Sequence, residues 1–137
     1  ANAVITALDI LMRQNVFKLG DTYWKQNSGT AMGTPPGANY AELYYGTWEI
    51  EFTANFLENL TLYCRYIDDG IGLWIHHPDP DIDRNSFASL QATMNSFGSL
   101  EWEFSELSKT IDFMDVHLSI TPTGIKSRLY ENPMNLY

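Results

Sequence analysis

Asp68 and Asp69 stand side by side between two apolar, aromatic-rich arms, in the stretch Leu62-Tyr63-Cys64-Arg65-Tyr66-Ile67-Asp68-Asp69-Gly70-Ile71-Gly72-Leu73-Trp74-Ile75. Such arms around Asp and Gly read as two strands joined by a tight turn, here at Asp68-Asp69-Gly70. Two adjacent carboxylates repel one another unless a cation neutralises them. A hard cation with oxygen ligands suits them, Mg²⁺ above all, or Mn²⁺. The same tripeptide also reads as an ordinary solvated turn.

The neighbourhood separates these readings. Tyr66-Ile67-Asp68-Asp69 resembles the Tyr-x-Asp-Asp signature of reverse transcriptases. Upstream, Gln26-Asn27-Ser28-Gly29-Thr30-Ala31-Met32-Gly33-Thr34-Pro35-Pro36 is similar to the Gln-x-x-Gly-x-x-x-Gly motif that precedes the long palm helix of those enzymes. Its Gly-Thr-Ala-Met-Gly-Thr wording is closest to Penelope-like retroelement polymerases. Downstream, Thr110-Ile111-Asp112-Phe113-Met114-Asp115-Val116 is similar to their Asn-Phe-Leu-Asp-Val strand.

The resemblance implies an RNA-directed DNA polymerase acting on an RNA or DNA template with a DNA primer and deoxynucleotide triphosphates. By the same resemblance Asp68 is the main metal ligand and Asp69 a weaker or second one. Tyr66 and Ile67 pack near the primer end, Gln26 holds the template side, and Gly29 and Gly33 leave room for close approach. Lys109 is the candidate general acid for the departing pyrophosphate, beside the plainer identity of a surface turn lysine. Asp112 and Asp115 read as strand-end polar residues or further carboxylate ligands.

Two positions depart from the family pattern: Gly37-Ala38 stands where Ala-Pro is usual, and Glu42 where Asn is common. The family's other catalytic carboxylate lies on a strand upstream of the glycine motif, and Asp9 sits in a helical pattern instead. The expectation is therefore a single partial domain over 1–137, the C-terminal half of a palm, inactive without the remaining fingers, palm and thumb. The competing reading is a domesticated or decayed palm kept as a non-catalytic binding or interaction module. A carboxylate Mg²⁺ nuclease leaves the glycine motif without a role.

Composition bounds these readings. A chain of 137 residues, 45% hydrophobic and 14% aromatic, has the makings of one folded domain. No apolar run reaches membrane-spanning length and no signal peptide is evident at the start, so the expectation is an intracellular protein, nuclear or cytoplasmic, with no membrane partner and not secreted. The single cysteine, Cys64, excludes an internal disulfide. Eight basic against seventeen acidic residues give a net charge of −9, which opposes tight binding of a polyanion by this chain alone.

The elements that must position these residues follow from periodicity. Val4, Ile5, Leu8, Leu11 and Met12 predict a helix over 1–15 with a buried stripe. Residues 16–19 and 22–26 alternate around Gly20-Asp21 as a hairpin. Residues 28–37 form a Gly-, Thr- and Pro-rich loop, and 38–60 the longest helix, with Tyr40, Tyr44, Tyr45 and Trp48 as packing residues or stacking platforms. The motif region thus runs over 26–48 and the carboxylate hairpin over 62–75. After a polar loop at His76-His77-Pro78, in which the histidines lack ligand spacing, Phe87, Leu90, Met94 and Phe97 predict a second helix. Asp83 is its expected N-cap and Gly98 its stop. Residues 100–131 read as three strands, 100–107, 111–120 and 125–130. The fold expected is α+β, a palm-like antiparallel sheet with helices packed on one face.

Overall fold

A computed structural model describes residues 2–31 and 33–131. The chain is mixed α+β and forms two compact units, residues 1–50 and 51–137.

In the first unit α1 spans Asn2–Arg13, and Asp9 and Arg13 form an ion pair one turn apart on its surface. The predicted stripe is there, but it is not buried: Leu8 and Met12 are half-covered while Val4, Ile5 and Leu11 lie exposed. Strands β1 (Val16–Leu19) and β2 (Thr22–Lys25) pair antiparallel across a two-residue Gly20-Asp21 turn. Gly20 takes φ +62°, as the first central residue of a type II′ turn requires. Helix α2 (Gly37–Asn55) begins directly after Pro36, whose carbonyl accepts the Tyr40 N–H at 2.9 Å, and it continues into the second unit.

The second unit holds the carboxylate hairpin. Strands β3 (Leu60–Tyr66) and β4 (Asp69–Trp74) pair antiparallel, and Asn59 and Ile75 close the open end through a backbone bond and the Asn59 side chain. Phe52, fully buried, sets its ring edge-on against Tyr63 of β3 at 5.3 Å. Helix α3 (Pro80–Met94) buries Leu90 and Met94. Its N-cap is Asp79, not Asp83: Asp79 Oδ1 accepts from the amides of Asp81 and Ile82, and Pro80 occupies the first helical position. The helix ends at Met94 with Asn95 as its cap, short of Gly98.

A last sheet joins β5 (Thr110–Phe113), β6 (Val116–Thr121) and β7 (Gly124–Leu129) in sequence order. The predicted strand over 100–107 is not one. That segment alternates as expected, with Trp102 and Phe104 half-covered and Glu101 and Glu103 exposed, but it joins no ladder. Asn95 substitutes for a strand partner at one residue: its Oδ1 accepts the Trp102 N–H at 2.6 Å and its amide donates to the Trp102 carbonyl at 3.3 Å. Among the described residues the strands form three separate sheets, β1-β2, β3-β4 and β5-β6-β7. No described helix is long and apolar enough to cross a membrane.

Candidate functional site

The carboxylate hairpin turns one residue earlier than its sequence indicates. Tyr66 pairs with Asp69, so Ile67 and Asp68 are the turn and Asp69 already opens β4. Gly70 is therefore inside a strand, opposite Arg65. A Cβ there would lie 3.4 Å from the Trp102 ring and 3.7 Å from Tyr63, ordinary van der Waals contact at an exposed position. Alternation along β3 and β4 puts Tyr66 and Asp69 on one face of the hairpin and Arg65 and Gly70 on the other.

The turn is strained. Ile67 takes φ +54°, which a β-branched residue rarely adopts. Positive φ at the first central residue alone is the type II′ pattern. Arg65 holds it there, donating from Nη1 to the Ile67 carbonyl at 2.7 Å. Ile67, Asp68 and Asp69 are all exposed at the tip, Ile67 to 59%. Sequence reasoning passed over Arg65. Its signal was a lone cation three residues before a carboxylate pair, on a strand otherwise apolar or neutral.

As a cation site the tip offers hard oxygen donors, the chemistry Mg²⁺ or Mn²⁺ takes. Two neighbouring carboxylates cannot fill such an ion's coordination shell, and no group of three His, Cys, Asp or Glu side chains comes together among the described residues. Asp112 is occupied elsewhere, bonded to Nδ1 of His117 directly across the β5–β6 ladder. Asp115 lies in the β5–β6 turn beside Met114, which repeats the φ of +54° seen at Ile67.

Lys109 is exposed and lines an open groove of about 500 Å³ in the second unit. The groove runs past Gly70–Trp74, α3 and β6; Asp68 and Asp69 do not line it. Gln26, Gly29 and Gly33 belong to the first unit. There Gln26 Nε2 donates to the Ser28 carbonyl at 2.9 Å and lies 3.4 Å from where a Gly29 Cβ would be. Gly29 (φ +77°) and Gly33 (φ +85°) both need the left-handed conformation. The Gln-x-x-Gly spacing is thus a local unit, with the glutamine folded over the turn that the glycine permits. Of the tyrosine cluster, Tyr40 and Tyr44 stack near-parallel at 6.3 Å and stay half-exposed, while Tyr45 is buried.

A second polar cluster ties β4 to α3. Asp83 accepts from Trp74 Nε1 at 3.0 Å, from His76 Nδ1 at 2.7 Å and from the His77 backbone amide at 2.9 Å. These bonds, that from His76 first, lower its pKa from 3.8 to about 2. Trp74, so held, packs edge-on against Phe87 at 5.2 Å, and Phe87 meets Phe104 in the same manner at 6.4 Å.

No protein-family model, curated protein or solved structure matches the chain.

Proposed function

We propose that this chain carries part of the palm of a reverse transcriptase, an RNA-directed DNA polymerase that transfers a nucleotide from a deoxynucleotide triphosphate to a primer 3′-hydroxyl. The observation that carries this reading is the hairpin tip. Two adjacent exposed carboxylates sit at a strained two-residue turn braced by Arg65, within a sequence that resembles Tyr-x-Asp-Asp. Strain kept at an exposed tip, where any glycine would relieve it, fits a site selected for geometry rather than stability.

In this reading Asp68 and Asp69 hold the divalent cation, which when bound supplies charge neutralisation for the phosphates and a lowered pKa for the primer hydroxyl. Asp69 shares its face with Tyr66, so a primer end placed against Tyr66 lies beside that carboxylate. Arg65, on the opposite face, fixes the turn through the Ile67 carbonyl. Gly33 leaves open space for a template, while at Gly29 the Gln26 amide lies close by. A further carboxylate from another strand is required.

A primer-extension assay tests this, using the chain lengthened upstream, an RNA template and Mg²⁺ or Mn²⁺. Extension that Asp68→Ala with Asp69→Ala abolishes supports the polymerase. A folded wild-type protein that extends nothing favours the second reading, a palm retained as a non-catalytic binding module. That reading draws on Glu42, on the absent proline at Gly37-Ala38 and on the net charge of −9.

A further inference from the structure

The β1–β2 hairpin has two chemically different faces. Cross-strand register puts Phe17 opposite Trp24 and Leu19 opposite Thr22 on one, and Lys18 opposite Tyr23 and Val16 opposite Lys25 on the other. The first face is apolar, and its indole N–H is already satisfied by the Thr22 hydroxyl at 3.0 Å. The second is cationic and aromatic. Lys18 Nζ stands 5.8 Å from the Tyr23 ring centroid, and Tyr23 is 73% exposed. Neither Lys18 nor Lys25 has an ion-pair partner among the described residues.

Charge along the chain sets this face apart. The hairpin's one carboxylate is Asp21 in its turn and none follows from Thr22 to Tyr40, whereas the next stretch, from Glu42 to Asp115, is strongly acidic. Two ammonium groups without acidic partners, one of them over an exposed aromatic ring, match a strand with anionic phosphates and unstacked bases. The ring accepts a base of any identity on its π-face, and the lysines replace counterions along the backbone. A duplex offers the phosphates but keeps its bases stacked. We propose that the Lys18–Tyr23–Lys25 face binds single-stranded nucleic acid, with one base stacked on Tyr23. The inference rests on the polymerase reading for the strand's identity as template, and on the hairpin alone for the binding.

The test is fluorescence anisotropy of the full chain with a labelled oligouridylate of about twenty nucleotides, at about 50 mM salt and then at higher salt. Saturable binding is expected, weakened about tenfold by Tyr23→Ala and little changed by Tyr23→Phe. In Lys18→Gln with Lys25→Gln the slope of log affinity against log salt should shrink by about 1.4. Circular dichroism checks each variant's fold; should Tyr23→Ala fail to fold, the lysine pair and Tyr23→Phe decide the matter.

Absence of binding by the wild type, unchanged affinity and salt slope in the folded variants, or equal affinity for duplex RNA of the same length would each overturn the proposal. Binding to phosphatidylserine vesicles with no binding to the oligonucleotide would overturn it in favour of a membrane surface. Primer extension without this binding sinks the hairpin proposal alone. Binding without extension sinks the polymerase reading and leaves the hairpin standing.

Discussion

Positive φ suits glycine, and in the Gly20-Asp21 turn glycine is what the chain uses. The β3–β4 and β5–β6 turns demand the same conformation of Ile67 and Met114. A non-glycine residue in such a region costs roughly 1–3 kcal/mol, whereas glycine costs about 0.5–1 kcal/mol of extra chain entropy on folding. Relief of strain wins. Ile67→Gly is therefore expected to stabilise the chain by about 1 kcal/mol in urea unfolding, within the difference of those two terms. In the lengthened polymerase the same substitution should reduce primer extension, because the tip loses its fixed geometry and its apolar side chain. A variant that gains both stability and activity would remove Ile67 from the site. At Asp83 the expected signature is a pH dependence. Its pKa falls from 3.8 to about 2 in the folded chain, so its stabilising bonds are complete above pH 3.8 and are lost as pH drops towards 2. The melting temperature of wild type should exceed that of Asp83→Asn at neutral pH, and the gap should close across that acid window. A gap that stays constant would mean that Asp83 contributes through packing alone.

The elements show which parts of a sequence speak for themselves. Helices and hairpins were legible because periodicity and turn residues are local properties. The 100–107 segment was not, since alternation reports which side chains want cover and says nothing of whether a neighbouring strand exists to complete a ladder. At Trp102 a side chain, Asn95, seven positions away, takes the place of a strand partner. Asn95→Ala should cost about 0.5–1.5 kcal/mol by removing its exposed bonds to the Trp102 backbone, with a change in tryptophan fluorescence as Trp102 leaves Gly70. The α3 start was misplaced among Asp79, Asp81 and Asp83, although Pro80 marks the first helical position and so points to Asp79. The carboxylate pair was legible from its residue types. Its brace, Arg65, was not, because it depends on what the fold brings next to the turn. Gly37 poses a similar conflict at the start of α2. Alanine there would gain about 1 kcal/mol of helix propensity. Its Cβ would, however, meet Thr34 Oγ1 at 2.7 Å and the Ala31 carbonyl at 2.8 Å. A backbone oxygen cannot move aside as a side-chain tip can, and overpacking costs about 1–3 kcal/mol. Gly37→Ala should thus destabilise the loop's attachment to the helix, read as a lower urea midpoint; an unchanged or higher midpoint would show that the loop yields.

At the scale of the whole chain, apolar content and burial do not match. Hydrophobic residues make up 45% of the sequence, yet among the described residues the buried apolar side chains are Tyr45, Phe52, Leu60, Leu90 and Met94. Four of the five lie in the second unit. Local stability follows buried apolar contact, and amides open most readily where it is lacking. Helix α1 buries nothing, and both β1 and β2 are exposed along their length, an arrangement in which a lone two-stranded hairpin is marginal in water. The β3–β4 hairpin differs in burying its own Leu60 and in having Phe52 against its Tyr63 ring. Hydrogen exchange followed by mass spectrometry on the isolated chain should therefore split along the sequence. Peptides covering 2–25 should exchange within the first time points, while those covering 60–74 and 87–94 are retained longest. Nucleic acid bound at the Tyr23 face would slow exchange in 16–25 without touching 60–74, which separates that contact from a general tightening of the fold. Uniform slow exchange over 2–25 in the free chain, independent of protein concentration, would contradict this distribution of stability. Protection there that grows with concentration would instead mean that the apolar faces of α1 and the hairpin are covered by a second copy.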